Sequence, residues 1–391
     1  MRDWMARHQA EFAQLRQQIH QHPELSFEEF QTSDLVAQCL QSWGWHLERG
    51  IGGTGLVAQL KRGQGARRLG IRAEMDALAL TEMTELPYAS RCAGVMHACG
   101  HDGHTTMLLF AAKYIAEHRR FDGTLNLIFQ PAEEGGNGAS RMMEDGLFER
   151  YPCDAVFGMH NMPGVPAGRL AFRSGAAMAS GDEVTIRLTG RGGHGALPHL
   201  AADPTVAAAS IVMALQTVVS RNVDPLHAAV VTVGVLHAGT ACNVIPETAL
   251  LKLTVRALDR AARDTVEQRI RSLVQAQAES FDVSAEVNFA RGYPVLVNTL
   301  EETEFARSVA RSLVGPGGMD EHGPAYMAAE DFAFMLERVP GCYLFIGNGT
   351  HIKEGGCSVH NPHYDFNDRI LPVGAAYWAA LVEQFLPVAT S

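Results

Sequence analysis

No run of apolar residues in this chain approaches the roughly 20 that a helix needs to cross a bilayer, so no membrane-spanning role and no membrane partner are expected. Basic clusters are also missing. Lys and Arg number 32 against 43 Asp and Glu, a net charge of −11, which disfavours a nucleic-acid partner. The seven cysteines are an odd number, and no two are spaced as CxxC. That argues against a disulfide framework and fits a reducing cytoplasm. Charged residues are only 19% and hydrophobic ones 47%, too apolar for a disordered chain. Internal repeats and low-complexity tracts are absent. The first 20 residues are polar, with Phe12, Leu15 and Ile19 at helical spacing. They read as an amphipathic helix, not a secretion signal.

What is present reads as an enzyme-sized α/β chain. Its 391 residues leave room for two domains and a large core. Strands at 54–60, 68–74, 124–130 and 154–160 alternate with helices at 10–20, 29–42 and 103–118. This alternation predicts a mostly parallel sheet flanked by helices. The middle differs. A strand at 182–189, a helix at 204–220, strands at 229–237 and 247–257, a helix at 261–281 and a strand at 283–289 follow a β-α-β-β-α-β order, an α+β sandwich. The α/β pattern then resumes, with helices near 300–314 and 329–337, a strand at 342–347 and a helix at 371–386. The expected organisation is a catalytic domain in two parts, 1–179 and 293–391, with a lid or dimerisation domain inserted at 180–292.

The densest chemistry lies at 97–104, His-Ala-Cys-Gly-His-Asp-Gly-His. A thiol and an imidazole one residue apart, Cys99 and His101, suit a borderline-soft divalent metal such as zinc. The plain alternative is a turn whose histidines cap the next helix. A second segment, Leu125 to Gly136, ends an apolar strand at Pro131 and continues into Glu133 and Glu134. Adjacent side chains point in different directions, so one carboxylate can ligate a metal while the other handles a proton. A solvated acidic loop is the plain alternative. A third strand ends in His160, and a glycine-bounded loop supplies His360.

On these motifs the chain resembles the amidohydrolase branch of the dinuclear-metal aminoacylase and carboxypeptidase superfamily, which includes hippurate hydrolases, auxin-conjugate hydrolases and N-acyl-amino-acid amidohydrolases. The matching stretches are HQHPELSFEE (20–29), IRAEMDAL (71–78), HACGHDGH (97–104), FQPAEEGGNGA (129–139), GMHNMP (158–163), GRGGHGALPH (190–199), GTACNVIPE (239–247), AAEDFAFM (328–335) and SVHNPHYDFND (358–368). The resemblance implies a metal-dependent exopeptidase-like fold. It also implies two divalent ions (zinc, manganese, cobalt or nickel) held by Cys99, His101, Glu134, His160 and His360, with Glu133 as the general base that activates a water. Where related branches bridge their metals with an aspartate and use a histidine two residues before another aspartate, this chain holds Cys99 and Glu74. Asp76 then either orients a ligand imidazole or merely caps the strand.

For the inserted domain, the resemblance implies that His194 reaches a neighbouring subunit's site and stabilises the oxyanion, hence a homodimer or higher homo-oligomer. Asn243 and Arg256 are candidate substrate anchors. An arginine can bind a carboxylate bidentately, though Arg256 could equally be a strand-surface charge. The expected reaction is hydrolysis of an N-acyl-amino acid to a carboxylic acid and a free amino acid. Three alternatives remain: a dipeptidase or carboxypeptidase using the same water chemistry, a cysteine nucleophile at Cys99, and a non-catalytic metal-binding relative.

Overall fold

The computed structural model describes residues 1–118 and 120–388, so positions 389–391 of the expected 293–391 stretch lie outside it. The described residues form two compact units, one drawn from 1–175, 297–324 and 334–388, the other from 176–296 and 325–333. Residues 325–333 therefore group with the inserted segment, not with the C-terminal stretch where the sequence reading put them. The reason is backbone pairing: Met178 bridges Tyr326, and the Ala179 N–H donates to the carbonyls of Tyr326 and Ala328 at 3.0 and 2.9 Å.

The first unit is built on an eight-stranded sheet. Its order is His46–Arg49, Leu56–Arg62, Gly123–Gln130, Arg68–Glu74, Ala155–Pro163, Gly341–Gly349, Leu170–Ala171 and Met319–Asp320. The centre is parallel: Arg68–Glu74 lies between Gly123–Gln130 and Ala155–Pro163, which in turn pairs with Gly341–Gly349. Antiparallel pairs stand towards the edges. Central strands buried on both faces are mostly apolar; Arg68–Glu74 is buried from Leu69 onwards, and its two buried charges, Arg72 and Glu74, pair with each other. Helix His101–His118 is buried over most of its length, with a polar first turn and an apolar middle. Met107 through Ala112 are buried without interruption, and the helix packs on Leu371–Phe385 and Arg2–Gln21.

The second unit is a four-stranded antiparallel sheet in the order Ala229–Ala238, Thr248–Ala257, Ser180–Thr189 and Ser284–Arg291. Helices Pro204–Asn222 and Arg260–Glu279 pack on it, and Val184, Ile186 and Leu188 alternate inward beneath them. Asp203 and Asp259 cap these helices, accepting from the N–H groups of Thr205 and Ala262. Pro204–Asn222 is long and apolar enough to cross a membrane by length and composition alone, contrary to the sequence reading. Here it is a packing helix, with Ala207, Ala208, Ile211, Leu215 and Val218 buried in this unit's core. The helix expected at 329–337 forms only over Phe332–Leu336.

Candidate metal centre and active site

Three adjacent parallel strands deliver the site from their C-terminal ends, where open α/β sheets place ligands. Arg68–Glu74 ends in Glu74 and runs on to Asp76. Gly123–Gln130 runs on to Glu133 and Glu134. Ala155–Pro163 carries His160. Between them sits the loop before helix His101–His118. Gly100 makes that loop possible: its φ is +94, and a Cβ there would stand 2.3 Å from Asn161 Nδ2 and 2.5 Å from the Tyr364 hydroxyl.

The five expected ligands come together. Ligand atoms of Cys99, His101 and Glu134 lie within 4.8 Å of one another. Cys99 Sγ is 3.3 Å from His160 Nε2, and Glu134 Oε1 is 3.0 Å from His360 Nε2. The His360 N–H donates to the Ala98 carbonyl at 2.7 Å, tying its loop to the Cys99 loop.

Tautomers follow from the hydrogen bonds that each ring's other nitrogen makes. His101 Nδ1 lies 2.9 Å from the Asp76 carbonyl and 3.2 Å from its carboxylate. His160 Nδ1 donates to the Asn161 carbonyl at 2.6 Å. Both rings thereby turn Nε2 into the cluster. Burial opposes the charged form of His101, but Asp76 and Glu74 outweigh it and push this imidazole up to about 10. Burial pushes His160 down to about 3, with His104 adding to the effect. Burial and the carboxylates of Glu134, Glu133 and Glu74 push the Cys99 thiol well up.

These residues fit a divalent cation. His101 Nε2 is buried without a hydrogen-bond partner, although it lies among Cys99, Glu134 and Glu74. An imidazole nitrogen left bare beside a thiol and several carboxylates is the donor set of a soft-to-borderline metal. The field that holds a proton on His101 would equally hold a cation.

The residue reading left two nearby groups without a role. Glu74 also sits within ligand distance of His101, His104 and His160. Arg72 Nη1 donates to it at 2.7 Å, and Arg72 with His104 holds it well below the usual carboxylate range against the cost of burial. His104 accepts the Asn161 N–H at Nε2 and meets Glu74 through Nδ1 at 2.5 Å. Its place three residues after His101 on one helix face was the available signal.

Glu133 is buried beside Glu134, 6% exposed. In the second unit, His194 and Asn243 are exposed neighbours in a two-strand ladder: His194 pairs with Val244, and the Gly195 N–H donates to the Asn243 carbonyl at 2.8 Å. Arg256 is not with them. It pairs with Gly181 at the other end of Thr248–Ala257, roughly 27 Å along the strand from Thr248 at 3.4 Å per residue. Its Nη1 donates to the Val255 carbonyl at 3.0 Å.

A thiol, imidazoles and paired carboxylates gathered at parallel strand ends form a candidate metal centre, the kind of site that metal-dependent hydrolases use. The chain belongs to Peptidase family M20/M25/M40, whose sequence model matches residues 70–384. It is 46% identical to a hippurate hydrolase of Campylobacter jejuni over 97% of both chains. It is 38% identical to IAA-amino acid hydrolase ILR1-like 2 of Arabidopsis thaliana over 98% of this chain and 85% of that one. Among solved structures, the YXEP protein of Bacillus subtilis, a dinuclear metal binding peptidase of the M20 family, matches at a TM-score of 0.84. It is 32% identical, with 97% of this chain and 98% of that chain covered.

Proposed function

We propose that this protein hydrolyses the amide bond of N-acyl-amino acids, giving a carboxylic acid and a free amino acid. The observation that carries the reading is the Glu133–Glu134 pair: one carboxylate reaches His360 and the Cys99–His101 cluster, and its neighbour is buried in the same turn. Two divalent ions, held by Cys99, His101, Glu134, His160 and His360, would polarise the amide carbonyl and lower the pKa of water. Glu133 takes the proton from the attacking water and returns it to the leaving nitrogen, as a general base and then acid. Asp76 fixes His101 through Nδ1, and Glu74 with His104 braces the same face. His194 stabilises the developing oxyanion, and Asn243 and Arg256 are substrate anchors.

We further infer a homodimer in which His194 acts on the partner's site. Strand Ala229–Ala238 is an edge strand, not the central strand of its sheet. It exposes Val230, Val235 and Leu236, and helix Pro204–Asn222 exposes Val206 and Met213. Unpaired apolar edges invite a second copy. All seven cysteines are free thiols, in keeping with a reducing cytoplasm.

A metal-supplemented screen over N-benzoyl, N-acetyl and N-indolylacetyl amino acids and dipeptides tests the substrate class. Benzoylglycine is the expected best substrate among those tested, given the 46% identity to a hippurate hydrolase. Cleavage of dipeptides with no turnover of any N-acyl-amino acid would favour the dipeptidase reading instead.

A further inference from the structure

Three consecutive backbone N–H groups beyond strand Gly123–Gln130 go to two buried carboxylates. The Ala132 N–H donates to Glu29 Oε1 at 2.8 Å. The N–H groups of Glu133 and Glu134 both donate to Asp76, the second at 2.9 Å to Oδ2. Ala132 has φ +52, in the left-handed region that a residue with a side chain enters only at a cost. Its carbonyl accepts the Gly138 N–H at 3.0 Å. A Cβ at Gly138 would lie 1.7 Å from the Pro131 carbonyl oxygen, so the turn closes only around glycine.

Glu29 stands just before helix Phe30–Ser42 and is completely buried. Its carboxylate accepts from the Thr54 hydroxyl, from its own backbone N–H and from the Ala132 N–H. Burial pushes it up, and Asp76 works in the same direction. A buried carboxylate depends on its hydrogen-bond donors to offset the cost of burial. One of these donors belongs to the strained residue immediately before Glu133. Asp76 holds the next two N–H groups, but it does not hold Ala132.

We propose that Glu29 is a positioning residue for the general base: by accepting the Ala132 N–H it holds the left-handed turn that aims Glu133. This rests on the reading of Glu133 as the base. Glu29 touches neither substrate nor ligand atoms; it acts through the backbone. Loss of aim by about 1 Å at a reacting group costs on the order of 100-fold in rate. A loosened turn should therefore reduce turnover while metal and substrate still bind.

The test is a crossed pair of variants in the metal-loaded protein. Glu29→Gln keeps the length and the acceptor oxygen. Glu29→Asp keeps the charge but is one methylene shorter, so it no longer reaches Ala132. We expect kcat to fall at least about tenfold in Glu29→Asp, with KM and metal content unchanged, and Glu29→Gln to keep most of the turnover. A purely structural role would lower the unfolding temperature of Glu29→Asp and leave kcat per folded molecule intact; that result overturns the proposal. Equal impairment of both variants overturns it too, because it makes charge rather than the acceptor the requirement. If Glu29→Asp does not fold, hydrogen exchange in the wild-type holoprotein decides. The Ala132 amide should be strongly protected, and exchange at the solvent rate would refute the claim. Glu133→Gln is assayed alongside. If it remains active, the base assignment has failed; if it is inactive while Glu29→Asp is not, only the positioning claim has.

Discussion

Asp76 holds His101 at two points: its backbone carbonyl lies 2.9 Å from the ring's Nδ1 and its carboxylate 3.2 Å away. The other carboxylate oxygen takes the Glu134 N–H and the Ser26 hydroxyl. One side chain thus sets the tautomer of one expected ligand and the backbone of another. Removing such a group typically costs 10–100-fold in metal affinity, so Asp76→Ala is expected to lose about that much. Competition against a chelator reads it directly, and wild-type affinity would show that Asp76 only caps its strand.

Chelation should abolish activity, and re-addition of a divalent metal should restore it. Cys99→Ala should lose bound metal together with rate, because its thiol lies within the His101, Glu134 and His160 cluster. Metal analysis of the purified variant checks this. A metal-free protein with full activity would revive a nucleophilic role for Cys99.

Stability should fall as the solution becomes alkaline. Burial opposes the charged form of His20, but Asp102 and Glu82 outweigh it and raise this imidazole to about 9 from an ordinary 6.5. Its Nδ1 is 2.8 Å from Asp102, and Arg16 and His97 lie beside the pair. A raised folded-state value contributes fully below the unfolded one and is lost as pH rises through the folded one. The window is therefore about pH 6.5 to 9, and the pair's contribution is at most about 3 kcal/mol. Denaturant unfolding at pH 6 and pH 9.5 measures it. His20→Gln should flatten the difference, and an unchanged slope would contradict the account.

Subunit mixing tests the trans role of His194. A Glu133→Gln subunit and a His194→Ala subunit are each expected to be inactive, but a mixed dimer contains one complete site and one doubly damaged site. Mixing under exchange conditions should restore activity, at most about half of wild type in each heterodimer, since one of two sites is intact. Mass analysis first establishes that heterodimers form. Heterodimers without activity would remove His194 from the partner's site.

The sequence was most legible where chemistry and local pattern coincide. Strand 68–74 matches the observed Arg68–Glu74, although its buried Arg72 and Glu74 satisfy each other and so break the apolar pattern of a central strand. Cys99, His101, Glu134, His160 and His360 shared a strand-end or glycine-loop grammar, and the fold gathers them. What the sequence hid is long-range. Strand direction leaves no mark on a strand's own pattern, so the antiparallel edges at His46–Arg49 and Leu170–Ala171 could not be read. Nor could Arg16, which is buried between Asp102, Asp365 and Asp368 from distant segments. Glu29 lay inside a recognised motif, yet its acceptor role depends on Ala132, 103 positions away.

The central claim is that Glu133 moves the proton while its neighbour Glu134 holds metal. The most direct measurement is turnover of an N-acyl-amino acid by Glu133→Gln whose metal content has been determined on the same sample. The account predicts wild-type metal stoichiometry with turnover reduced about 10²–10⁴-fold, the usual worth of general-base catalysis. Near-normal turnover by fully metallated Glu133→Gln would contradict it.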